Sequence, residues 1–237
     1  MLKISHLTKT YGNKVKAVDD LSLTIEKGDI FAFIGHNGAG KTTTIKAVCG
    51  IHTFDDGEIF IDGVSLKSDP IHCKKMTAYI PDSPDLYEFM RADKYINFVS
   101  DMYDVPSAQR KELIEKYATG LEIKKDLSSP VSSFSHGMKQ KVALIAALVH
   151  KPKLLILDEP FVGLDPKSSH VLKGYFKEMT DAGGAIFFST HILEVAQKLC
   201  NKIAIIKNGK LVVCGETEKV IGMQSLEDVF LELTDND

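Results

Sequence analysis

Apolar residues recur along the chain with two different periods, and the changes of period mark its elements. Residues 2–8 and 21–26 alternate apolar and polar positions, as half-buried antiparallel strands do, and Lys27-Gly28 closes a turn. Residues 30–34 (IFAFI), 154–157 (LLIL) and 185–188 (AIFF) are apolar throughout, the pattern of strands covered on both faces in a mainly parallel sheet. Between Asp93 and Val149 that signal fades. Residues 93–104, 107–119 and 136–149 there carry apolar positions at helical spacing with charged outer faces. Gly50, Gly57 and Gly63 punctuate short strands, with turn signals at Asp56-Gly57 and Asp62-Gly63. Residues 226–234 set Leu226, Val229, Phe230 and Leu233 on one helical face, which packs or pairs. The expected class is α/β, with a mainly parallel sheet, an N-terminal antiparallel β subdomain and an inserted helical subdomain.

The apolar run 30–34 leads directly into GHNGAGKTT, residues 35–43, which opens a helix-forming stretch. Gly35, Gly38 and Gly40 let successive backbone N–H groups curl around an anion, and the helix start adds partial positive charge. His36, Asn37, Ala39 and Thr43 complete this turn. Lys41 is placed to reach β and γ phosphate oxygens, and the Thr42 hydroxyl takes one position on a Mg²⁺ ion bridging them. The ligand class is a nucleoside triphosphate, and the core is expected to be that of a P-loop NTPase.

A second constellation is LLILDEP, residues 154–160. A buried strand delivers two acids at its carboxyl end, where ligands of α/β proteins bind. Asp158 suits the Mg²⁺ shell, directly or through water, and Glu159 suits polarisation of the water that attacks the γ-phosphate. Upstream of it, Ser135 is a good N-cap for a helix whose Met138, Val142, Ile145 and Val149 share one face, and Gly137 lets a phosphate approach the backbone.

The order GHNGAGKTT, FSHGMKQK (residues 134–141), LLILDEP, GLDP (163–166) and STH (189–191) resembles the ATP-binding cassette (ABC) family over nearly the whole chain. The resemblance implies that Ser135 and Gly137 contact the γ-phosphate held by a second protomer, so that two ATP molecules are sandwiched head to tail. It implies that Tyr11 stacks on adenine and that Val18 lines the same surface. It makes His191 a switch that hydrogen-bonds the γ-phosphate and orients the catalytic water, beside Glu159 and Lys41. Asp165 would link the two active sites across the dimer, and it also suits the N-cap of a helix with Pro166 at its first position. The chain departs from the family pattern in two places. Asp82 stands where Gln is usual, and is assigned to the metal together with Thr42 and Asp158. His136 and Met138 stand within FSHGM where the family has LSGGQ.

Composition sets the context. A chain of 237 residues can bury a large core, and a formal net charge of −3 gives no global attraction for nucleic acid. Cys49, Cys73, Cys200 and Cys214 form no C-x-x-C pair and read as reduced structural thiols. The first residues lack the charged region and apolar stretch of a secretion signal, and no apolar run approaches bilayer length. Residues 1–237 are therefore expected to form a single ATPase domain. Residues 1–82 and 150–215 would be the nucleotide-binding core, 83–149 the helical subdomain and 216–237 a C-terminal helical extension. The expected cofactors are ATP and Mg²⁺. The expected partners are a second ATP-binding subunit and an integral membrane permease that receives its helix in a groove formed by residues 82–102, with no nucleic acid.

By the same resemblance, the chain would power the permease from the cytoplasmic side of the cell membrane. LYEFM, FSHGMKQK and SLEDVFLELT look like segments of bacterial drug and antimicrobial-peptide exporter ATPases. The alternatives are a soluble ABC ATPase acting in translation or DNA repair and a non-catalytic regulatory module. The first usually carries two cassettes or a long coiled-coil insertion, and the second is disfavoured by intact Lys41, Asp158, Glu159 and His191.

Overall fold

The computed structural model describes residues 1–12 and 15–235; residues 13–14 and 236–237, which belong to the expected single domain and its C-terminal extension, lie outside the described residues. In chain order the elements begin with β1 (Leu2–Tyr11), β2 (Val15–Ile25), β3 (Ile30–Ile34) and α1 (Lys41–Val48). Next come β4 (Asp56–Ile61), β5 (Val64–Ser65), α2 (Pro70–Met76) and β6 (Thr77–Ile80). Helices α3 (Ala92–Met102), α4 (Ser107–Gly120) and α5 (His136–Val149) precede β7 (Leu154–Asp158), α6 (Pro166–Asp181) and β8 (Ala185–Thr190). The described chain closes with α7 (Leu193–Leu199), β9 (Lys202–Lys207), β10 (Lys210–Glu216), α8 (Thr217–Ile221) and α9 (Leu226–Asp235).

Two sheets result. One is antiparallel, in the order β2-β1-β4-β5, and the other runs β10-β9-β3-β8-β7-β6. Within the second sheet all pairs from β9 to β6 are parallel, and only β10 joins antiparallel. The period of two along β3 and β7 divides their side chains between two cores. Ala32, Ile34, Leu155 and Leu157 face the core built with α3, α4 and α5, while Phe31, Phe33, Leu154 and Ile156 face the one shared with α1 and the antiparallel sheet. This is why those strands read as continuous apolar runs.

Parallel pairing brings the carboxyl ends of β3, β6, β7 and β8 to one edge, since Ile34 is in register with Thr190, Asp158 with Ser189, and Ile80 with Leu157. Helix α3 stops at Met102, earlier than its charge pattern suggests, because Asp104 takes a left-handed backbone (φ 55°) that a helix cannot continue through.

Candidate functional site

The loop after β3 is shaped by neighbours that leave no room for side chains. Gly40 adopts φ 111°, and a Cβ there would lie 2.3 Å from the carbonyl oxygen of Ala17. Gly40 is also the N-cap of α1 and offers no side-chain cap, so the first-turn N–H groups of α1 are left for an outside acceptor. Beside them the buried Lys41 ammonium donates to the carbonyls of Gly35 at 2.6 Å and His36 at 3.2 Å. Burial pushes its pKa below the ordinary lysine value, opposed by the charges of Glu159 and Asp158. An uncapped helix start, a lysine held only by carbonyl dipoles and two facing carboxylates fit a polyphosphate with its cation.

Asp158, at the end of β7, accepts a hydrogen bond from Thr42 Oγ1 at 2.9 Å and a short one from the Ser189 hydroxyl on β8. Thr42 and Asp158 thus present two hard oxygen donors at one point beside the loop, as a Mg²⁺ ion requires. Glu159, one residue on, has φ 50°. A left-handed non-glycine backbone costs about 1–3 kcal/mol and persists where surrounding structure enforces it. Here the Glu159 N–H is fixed on Ser189 O at 3.2 Å, and its carboxylate meets His191 twice, at 2.9 Å from the ring Nδ1 and 3.3 Å from the backbone N–H. In this geometry His191 holds Glu159.

Gly35, His36, Asn37, Asp82, Glu159 and His191 line one cleft of about 450 Å³, to which Val162, Leu193 and Phe230 add apolar walls. A larger cleft of about 550 Å³, lined by Lys27, Tyr117, Lys153 and Tyr175, lies beside residues that precede β7 and β8, at the opposite strand ends. Size does not mark the site; converging phosphate-binding groups and paired carboxylates do.

Other expected residues lie elsewhere. Ser135 caps α5, its hydroxyl accepting the Met138 N–H at 3.3 Å, and a Cβ on Gly137 would sit 2.4 Å from Gly163 O. The His136 ring rests on Gly163 as well, with Cδ2 2.7 Å from where a Cβ would be. Asp165 caps α6 by accepting from Ser168 N at 2.8 Å, and Lys141 of α5 donates to it at 2.7 Å. The Lys141 and Ser168 hydrogen bonds hold the Asp165 carboxyl well below the usual carboxylate range. These contacts tie the start of α5 to the GLDP segment.

Tyr11 is 42% exposed and rests edge-on against His52, beyond the C-terminal end of α1, with Lys9 Nζ 5.4 Å from its ring. Val18 requires correction. It is fully buried in the core beneath the antiparallel sheet, because a register shift between Leu21 and Val18, with Asp20 in a left-handed backbone (φ 55°), changes the phase set by the inward Leu21, Leu23 and Ile25. It is the backbone of Ala17 that meets the phosphate loop. Conversely, Ser189 on Asp158 and Phe230 on His36 make contacts at the site that their local sequence does not announce.

The fold and cleft define an α/β nucleoside-triphosphatase. The ABC transporter family matches residues 18–162, and the chain belongs to that family as an ATP-binding ATPase subunit. It is 37% identical over 211 residues to the SkfA peptide export ATP-binding protein SkfE of Bacillus subtilis (strain 168), covering 89% of this chain and 87% of that protein. It is 31% identical to the linearmycin resistance ATP-binding protein LnrL of the same organism, over 99% of this chain and 75% of that one. A solved structure described as the ATP binding subunit of an ABC transporter superposes with a TM-score of 0.94 at 32% identity, covering 98% of this chain and 99% of that chain.

Proposed function

We propose that this ATPase subunit closes with a second copy or close homologue around two Mg·ATP, and that hydrolysis reopens the pair to drive a membrane permease, in the export direction. The observation that carries this is the cleft lined by the 35–37 stretch of the Lys41 loop, Asp82 and the Glu159–His191 pair, with the hydrogen-bonded Thr42–Asp158 pair next in the chain to both the loop and Glu159. Lys41 would exchange its two carbonyl partners for β and γ oxygens. Thr42 and Asp158, with Asp82 across the cleft, would hold Mg²⁺, whose charge neutralises the phosphates. Glu159 would take the proton of the attacking water, with His191 setting the direction of its carboxylate. Tyr11 would receive the adenine. Ser135 and Gly137 lie outside the cleft of their own chain, which suits a contact made to the partner's γ-phosphate.

The permease-facing surface would lie in residues 83–149. Phe89 is 86% exposed and stacks on Tyr87 at 5.8 Å, and Tyr87 also meets Phe98 at 5.8 Å. Such an exposed aromatic patch fits an apolar helix from a membrane partner on the cytoplasmic face. No helix among the described residues is long and apolar enough to cross a membrane. Export is favoured by two relatives, one named for peptide export and one for linearmycin resistance.

Two measurements bear on this reading. Ser135→Arg should leave nucleotide binding by the monomer near parental while ATP hydrolysis drops to background, because the added side chain blocks closure; normal hydrolysis by this variant would exclude the trans contact. Phe89→Asp should keep the isolated subunit's basal ATPase rate and lose co-purification with the membrane protein encoded beside its gene. Retained co-purification would move the docking surface elsewhere.

A further inference from the structure

Helix α9 is more than a cap on the last strands. Its inner face buries Leu226, Val229 and Phe230, and its first N–H, on Leu226, donates to Gln197 Oε1 of α7 at 3.0 Å. Helix α7 itself starts two residues after His191. Phe230 reaches past this packing. Its ring lies 4.8 Å from the His36 ring, centroid to centroid and tilted by 54°, and it walls the cleft that holds Glu159 and His191. Val229, buried to nearly the same degree, does not line that cleft.

His36 sits in the exposed apex of the phosphate loop, and its anchors there are few. The Ala39 N–H donates to His36 O at 3.1 Å within the turn, and Lys41 donates to Gly35 O and His36 O. The two Lys41 bonds must be given up when that ammonium turns to a phosphate. The ring contact with Phe230 does not depend on Lys41, so it can hold the apex while Lys41 changes partners.

We propose that Phe230 is a positioning residue for ATP: by clamping His36 from α9 it keeps the phosphate loop preformed as Lys41 moves to the nucleotide. This rests on residues 35–43 being the phosphate loop, and the test separates the two claims.

A fluorescent ATP analogue is titrated against the parent, Phe230→Ala, Phe230→Tyr, Val229→Ala, His36→Ala, the Phe230→Ala/His36→Ala double variant and Lys41→Ala, each with a thermal melt. Loss of an aromatic pair should weaken nucleotide binding about 3- to 10-fold in Phe230→Ala and His36→Ala, with the double variant no weaker than either. Phe230→Tyr keeps the ring and should bind like the parent. Val229→Ala should melt lower, as Phe230→Ala does, yet bind normally. His36→Ala probes the contact without touching α9, so the test survives a poorly folded Phe230→Ala. The proposal is overturned by parental affinity in both Phe230→Ala and His36→Ala, by equal weakening in Val229→Ala, or by multiplying effects in the double variant. If Lys41→Ala abolishes binding while Phe230→Ala and His36→Ala bind as the parent does, only the clamp falls; if Lys41→Ala binds normally, the phosphate loop and the clamp fall together.

Discussion

Lys41→Ala is expected to lose nucleotide binding and hydrolysis together. Among the loop residues 35–43, Lys41 carries the one permanent side-chain cation, and it is buried beside Asp158 and Glu159. Without it, triphosphate oxygens would meet two carboxylates with one positive charge fewer between them. Removing a single preorganised electrostatic contact typically costs about 10²- to 10³-fold in turnover, and here the same contact also serves ground-state binding. The check is a steady-state ATPase assay paired with a nucleotide titration. An ATPase rate equal to the parent's would sink the assignment of residues 35–43.

What the sequence discloses and what it hides divide along physical lines. The phosphate loop is legible because its strand, turn and helix start are contiguous, and the steric demand at Gly40 is written into the residue itself. The acids at 158 and 159 are legible for a similar reason: an apolar run must end at a sheet edge. Strands β9 and β10 are not among the elements expected above. Strand β9 carries an apolar run, IAII at 203–206, of the same kind as LLIL and AIFF, whereas β10 leaves a weak signal because it alternates half-buried with exposed positions at the sheet's edge. Contacts across the fold leave no local trace. The short bond from Ser189 to Asp158 exists because β7 and β8 are in register, and the Glu159–His191 pair follows from the same pairing. The burial of Val18 is hidden because a resemblance transfers a position along the chain, whereas a register shift in β2 beside the left-handed Asp20 decides which way its side chain points. Phe230 read as one apolar position on a packing face, and only the folded chain brings it to His36.

Glu159→Gln should separate binding from chemistry. The substitution keeps the shape of the side chain and its capacity to hydrogen-bond His191, which lies 2.9 Å away at Nδ1, while removing the charge that draws a proton from water. The Lys41 loop and the Thr42–Asp158 pair are untouched, so ATP affinity should be retained. General-base assistance is worth about 10²- to 10⁴-fold, and turnover should fall by that order. With hydrolysis blocked, ATP bridging Lys41 of one chain and Ser135 of another would accumulate as a closed pair.

Light scattering coupled to size-exclusion chromatography of Glu159→Gln, with and without Mg·ATP, tests this account most directly. The predicted result is a monomer or weakly associating species without nucleotide and a stable particle of twice the chain mass with it, abolished by adding Ser135→Arg. A protein that binds Mg·ATP at saturation and still elutes at the mass of one chain would contradict the two-subunit nucleotide sandwich.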